Sequence, residues 1–248
     1  MTTVLLLGGT GRTGGRVMAQ LLGRGVRVRA IVRSARSVPA NVIGNPGLSV
    51  VEANVLSATD ADLLHQVRDC HAVISCLGHV TNVRGIFGPP HDLVTRTAAR
   101  LCRAIDALKP PAPIKFILMS SVSVNRPDGG DAHRGILECA ILRLLGWLIP
   151  PAGDNQRAAD FLFDRIGTTH PFVQWVAVRP DTLRPGDVSA YQLHDGIVSS
   201  LFRPGSTNMA NVAHFMCELV DNPKAWEEWK GTLPVIINTT PSAPRTDH

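Results

Sequence analysis

Residues 8–15 read Gly8-Gly9-Thr10-Gly11-Arg12-Thr13-Gly14-Gly15. The run parses as G-x-x-G-x-x-G through Gly8, Gly11 and Gly14, or as G-x-G-x-x-G through Gly9, Gly11 and Gly14. Placed after an apolar run and before a helix-period segment, this spacing supplies a tight turn and backbone bare enough to approach a pyrophosphate. It also offers a helix N-terminus on which phosphates can rest. The implied chemistry is dinucleotide binding, with Gly8, Thr10, Gly11, Arg12, Thr13 and Gly14 as candidate contacts. About twenty residues further on, an acid would bind a ribose 2′-hydroxyl and select NAD. Here the chain reads Ala30-Ile31-Val32-Arg33-Ser34-Ala35-Arg36, with no acid. Arg33 and Arg36 can pair with a 2′-phosphate, and Arg12 can reach the same group, so the expected cofactor is NADP(H). One charge-assisted contact, about 1.5–3 kcal/mol, selects NADP over NAD by roughly 10–150-fold.

The basic residues are unevenly spread. Residues 1–124 hold 14 Lys and Arg against 6 Asp and Glu, and residues 125–248 hold 11 against 14, for a net charge of +5 over 248 residues. No Lys/Arg run or interleaved aromatic platform accompanies the excess, and aromatics make up only 5%, so a nucleic-acid surface is not expected. Arg16, Arg24, Arg27 and Arg29 are left as a solvated face. The five cysteines are scattered without a C-x-x-C pair, and the histidines lack metal-ligand spacing, so no disulfide framework and no metal site is expected. The opening MTTVLLLGG lacks a basic segment before its apolar run and is not read as a secretory leader. The longest apolar stretch, 136–149, is short for a bilayer and carries Glu138 and Arg143. These features together predict a cytoplasmic protein with no membrane association.

What must position the site is an alternation of apolar runs and helix-period segments. Strands are expected at 3–7, 26–32, 48–53, 72–76, 114–120 and 173–178, with helices at 14–22, 60–67, 92–108 and 155–166. The pattern is that of an α/β doubly wound parallel sheet, a Rossmann fold, whose ligand crevice lies beyond the carboxyl ends of the strands. Residues 125–154 interrupt it with a loop and the apolar 136–149 helix, which is expected either to be buried or to cover a pocket or a protein partner. A further helix near 211–220 and a strand at 233–237 form a small C-terminal substrate-side lobe. Trp226 and Trp229 are read as helix residues packing on that last strand. Residues 1–248 are thus read as a single NAD(P)-binding domain, with 1–124 the cofactor-binding half and 125–248 the substrate-side half.

Four landmarks, GGTGRTG, AIVRS, AVISCLG (72–78) and FILMSSVSV (116–124) with the later Val178-Arg179-Pro180-Asp181, occur in order over residues 4–181. On these the chain resembles the atypical short-chain dehydrogenase/reductases of the NAD(P)H-binding, NmrA-like and biliverdin reductase B-like group. The resemblance implies that Asn54 and Val55 flank the adenine, with Asn54 standing where the family usually has Asp. It further implies that Leu77, Gly78 and Pro180 line the cofactor and that Ser120 or Ser121 faces the nicotinamide.

One expected feature is missing. Reducing a simple ketone develops an alkoxide that needs a positioned acid, which many short-chain dehydrogenases supply as Tyr-x-x-x-Lys. The single tyrosine, Tyr191, is followed four residues later by Asp195, and where the family's pair would stand the chain reads PAGDNQRAAD (151–160). Asp154 or Arg157 is the available substitute. Ser120, Ser121 and Asp154 are therefore the catalytic candidates, while His79, just past Gly78, is read as a solvated loop histidine and Tyr191 as core. Hydride transfer to a conjugated acceptor such as a flavin, quinone or tetrapyrrole needs no such pair, because the delocalised anion takes its proton from solvent or a weak acid. The leading expectation is an NADPH-dependent reductase of a small conjugated acceptor. The alternatives are a non-catalytic NmrA-like sensor or scaffold that binds NADP(H), and an epimerase or dehydratase with retained cofactor.

Overall fold

Val4 to Leu7 are all aliphatic and all buried, with no polar side to turn to water. A strand of this kind is stable only with both faces covered. The computed structural model, which describes residues 1–79, 88–131, 150–200 and 203–239, covers both. In β1 (Thr3–Leu7), Val4 and Leu6 point into one apolar cluster and Leu5 and Leu7 into a second on the opposite face. The alternation follows from the two-residue period of a strand.

Eight strands form the sheet in the order β3-β2-β1-β4-β5-β6-β10-β8. They are β2 (Arg27–Val32), β3 (Leu48–Glu52), β4 (Ala72–Ser75), β5 (Ile114–Met119), β6 (Val173–Pro180), β8 (Tyr191–His194) and β10 (Val235–Asn238), beside β1. All pairings are parallel except β10 with β8. Two short strands, β7 (Thr182–Arg184) and β9 (Ser206–Asn208), make a separate parallel ribbon. The chain therefore has the expected doubly wound α/β fold, and much of the C-terminal lobe extends the main sheet through β10 and β8.

Helix α1 (Arg12–Gly23) buries Thr13, Gly14, Val17, Met18, Leu21 and Leu22, one face at three- and four-residue spacing. It packs with α5 (Met209–Asp221) on the Val4/Leu6 side, together with Trp226 and Trp229 of α6 (Pro223–Trp229). On the other side lie α2 (Asp60–Val67), α3 (Leu93–Leu108) and α4 (Pro150–Asp160), contributing Leu63, Leu101 and Ala158 among others. Where periodicity predicts one helix over 155–166, α4 passes into a π-helical turn, Phe161–Ile166, that ends at Gly167 with φ 64°. The apolar 136–149 helix lies outside the described residues.

Three arginine-centred polar clusters, one of them fully buried, tie these layers together. Arg179, fully buried in β6, donates to Asp131 (2.7 Å) and to the carbonyls of Leu233 (2.7 Å) and Val124 (3.1 Å). Arg24 at the end of α1 donates to Glu218 (2.7 Å) and Asp221 (3.1 Å) of α5. Burial works against the Arg24 charge, yet its hydrogen bonds to these carboxylates hold the guanidinium above its ordinary pKa. Arg29 donates to the carbonyl of Gln66 (2.5 Å) and that of Arg68 (3.1 Å), closing the end of α2. Arg24 and Arg29 are thus structural residues and not part of a solvated face.

Candidate functional site

The strand order reverses between β1 and β4, and the crevice opens at their carboxyl ends, as it does in doubly wound sheets generally. Gly8 leaves β1 at φ 74°, and a Cβ there would lie 2.5 Å from the carbonyl oxygen of Cys76. The Gly8 carbonyl accepts from the Gly11 amide at 2.9 Å, closing the turn. One helical turn later, a Cβ on Gly14 would collide with that same Gly8 oxygen. Gly8 and Gly14 therefore let α1 begin hard against the strand end. Its N-cap, Gly11, offers no side chain, and no acid stands in its first turn. The first amides of the helix are left open to an anion.

A cleft of about 300 Å³ occupies the crevice. Gly8, Thr10 and Gly11 form its glycine side, Arg33 its rim after β2, Asn54 and Val55 the wall after β3, and Leu77 and Gly78 the wall after β4. These eight sequence-predicted residues are brought together. Thr13 and Gly14 sit just behind the turn, buried, while Arg12 and Arg36 are exposed beside it. Among the described residues no carboxylate pairs with Arg12, Arg33 or Arg36, whereas Arg24, Arg100, Arg126 and Arg179 are all paired. Contrary to the expectation of no acid nearby, Glu52 ends β3 opposite Val32. Its carboxylate is engaged by the Ala35 amide at 2.8 Å. A strand-by-strand reading misses it because the acid reaches this corner from the neighbouring strand.

Asn54 accepts from the Leu56 amide (3.1 Å) through Oδ1, and its backbone carbonyl takes the Ala58 amide (2.9 Å). The turn this makes is pinned from α3 by Arg100, which donates to the carbonyls of Val55 (2.8 Å), Leu56 (2.9 Å) and Ala58 (2.5 Å). Nothing in the spacing of Arg100 pointed to this role.

Other predicted residues are placed apart from the cleft lining. Pro180 is buried within β6, paired with Ile236, and its carbonyl accepts from the Val122 amide at 3.0 Å, so it is a sheet residue. Ser120 and Ser121 follow β5, next to the end of β4. Ser120 Oγ is buried with no hydrogen-bond partner, the condition of a hydroxyl that a bound molecule can satisfy. Ser121 Oγ takes the Ser123 amide at 3.2 Å. Tyr191 is hydrogen-bonded to His214 (2.9 Å) beside α5, and burial, with Glu218 nearby, pushes its pKa up to about 12. Burial also raises the Cys76 thiol, which lines the cleft.

Asp154 differs most from expectation. It is fully buried, and its carboxylate accepts from the amides of Val94 (2.8 Å) and Thr95 (3.1 Å) and from Thr95 Oγ1 (2.6 Å), and lies 2.9 Å from His79 Nε2. Asp154 thus caps α3 from a distance and, fully buried, does not line the cleft. Arg157, the other substitute, is half exposed and donates to the His91 carbonyl (2.9 Å). His79 is not solvated: its side chain is 6% exposed, and the residue lines the cleft.

The chain belongs to the NAD(P)H-binding family, whose model matches residues 8–223. This agrees with the resemblance drawn from the sequence landmarks. An uncharacterized chloroplastic protein of Arabidopsis thaliana is 33% identical over 146 residues, which are 57% of this chain and 47% of that protein. The match thus spans about half the length of this curated relative. A wide-type short-chain dehydrogenase/reductase of Veillonella parvula, solved in complex with NADP, superposes with a TM-score of 0.67 at 12% identity, covering 100% of this chain and 97% of that one. The anaerobillin reductase ChuY of Escherichia coli O157:H7 gives a TM-score of 0.63 at 18% identity, covering 98% of both chains. At such identities the likeness is one of fold. No helix among the described residues is long and apolar enough to cross a membrane, and no group of three or more metal-ligating side chains occurs among them.

Proposed function

We propose that the chain is an NADPH-dependent oxidoreductase that reduces a small conjugated acceptor, such as a quinone or flavin. The observation that carries the cofactor choice is Arg33, which lines the cleft rim with no carboxylate partner among the described residues, while the neighbouring Glu52 accepts from the Ala35 amide. The open amides at the start of α1 suit a pyrophosphate, and the Arg12, Arg33 and Arg36 guanidiniums suit a 2′-phosphate. Asn54 and Val55 supply the adenine wall. When bound, the nicotinamide supplies a hydride. The choice of acceptor is supported by the lack of a phenolic acid in the cleft, since the single tyrosine is committed to His214. A conjugated acceptor spreads the charge it receives and asks less of a proton donor than a simple ketone does. The NADP-bound fold relative and the anaerobillin reductase are in keeping with this reading.

The test is a titration of NADPH and NADH, followed by NADPH oxidation with menadione or dichloroindophenol. Arg33→Asp combined with Arg36→Ala is expected to weaken NADPH by at least the roughly 10–150-fold of one lost charge-assisted contact, with NADH little changed. Equal losses for both cofactors would overturn the 2′-phosphate assignment. NADPH binding without oxidation by any acceptor would replace the reductase with a binding protein.

A further inference from the structure

Resting on the reductase reading, we infer that His79, oriented by Asp154, is the catalytic proton donor to the reduced acceptor. The argument starts with Asp154. Its oxygens are buried and face the Val94 and Thr95 amides and the Thr95 hydroxyl, surroundings that suit an acceptor. In the proposed arrangement the ring nitrogen that meets it at 2.9 Å, Nε2, carries the hydrogen. In neutral His79 this leaves the lone pair on Nδ1, and Nδ1 has no partner among the described residues. In this arrangement Nδ1 is the atom from which a proton can leave. The residue sits in the cleft immediately after Leu77 and Gly78, at the end of β4, the strand that neighbours the Ser120 strand.

The balance is simple. A quinone that has gained a hydride is a hydroquinone monoanion. Its phenolate oxygen forms an O–H bond as the Nδ1–H bond of the imidazolium breaks, leaving neutral His79, which regains its proton from water. An acceptor of this class ends with charge on an oxygen, and a positioned acid serves that oxygen. Asp154 acts through His79 and through α3, and is a positioning residue.

The experiment pairs two readouts. In the first, His79→Ala is compared with the wild-type chain for NADPH affinity by fluorescence and for menadione reduction. NADPH affinity is expected to stay within about twofold while kcat falls by about 100-fold, the range of a lost general acid. Added imidazole should restore part of the rate. Unchanged turnover, a parallel loss of NADPH affinity, or no rescue would each overturn the assignment. The second readout needs no turnover and no His79 variant: ring 15N NMR of the wild-type chain should show neutral His79 protonated at Nε2, with that preference lost in Asp154→Asn. A neutral Nδ1–H form would overturn the proposal on its own. A wild-type chain inert toward every acceptor would overturn the reductase reading and this one together, whereas an active chain with an equally active His79→Ala would overturn this one alone.

Discussion

Gly14 and Gly23 are both glycines of α1, and only one of them lacks room for a methyl group. A Cβ on Gly14 meets the Gly8 carbonyl, while a Cβ on Gly23 has nothing within 4 Å. Gly14→Ala is expected to cost about 1–3 kcal/mol through forced backbone shifts and to reduce NADPH affinity with it. Gly23→Ala should leave binding alone and raise stability by about 0.4–1 kcal/mol. Thermal denaturation with and without NADPH separates the two, and a tolerated Gly14→Ala would remove the close-packing role of that residue. Asp154 and His79 show the opposite limit at this scale. Their residue types and their position near the strand ends were visible in the sequence, but not their pairing: the carboxylate is a buried cap on α3, and the histidine, a residue of the cleft lining, rests its side chain on it. No local spacing links residues 75 apart.

At the scale of elements, strand and helix positions follow the apolar periodicity closely. Predicted 3–7, 48–53 and 60–67 became β1, β3 (Leu48–Glu52) and α2 (Asp60–Val67). The start of α2 shows why: Thr59 and Asp62 form a reciprocal capping box, and the Thr59 hydrogen bonds hold the Asp62 carboxyl below its usual range. What periodicity did not reach is how one element braces another. Arg100 on α3 ties down the Asn54–Asp60 turn through three carbonyls and Asp60. Arg100→Met is expected to cost about 1.5–3 kcal/mol, the worth of hydrogen bonds to a charged donor. Because Arg100 braces the turn proposed to hold the adenine and not the Arg33 rim, NADPH and NADH should lose affinity in the same proportion. A loss confined to NADPH, measured by paired titration, would contradict this placement.

At the scale of the molecule, the uneven charge divides among several uses. Arg24 is spent on Glu218 and Asp221, joining the basic half to the acidic half, and Arg29 on the end of α2. Among the described residues no carboxylate pairs with Arg12, Arg33 or Arg36. Arg179 holds the sheet to the segment after β5 through Asp131, with both side chains nearly or fully buried. Arg179→Ala leaves that carboxylate without its partner and is expected to cost about 3–5 kcal/mol, read as a drop in the midpoint of urea unfolding. A change under about 1 kcal/mol would mean that the pair behaves as an exposed one. The sequence by itself determined the doubly wound sheet, the glycine turn and the basic rim, because each is written in spacings of a few residues that local backbone geometry enforces. Only the tertiary structure decided that Glu52 is occupied, that Arg100 and Arg179 are braces, and that His79 and Asp154 are partners. Those contacts join distant segments, and it is the order of strands in the sheet that brings them within hydrogen-bond reach.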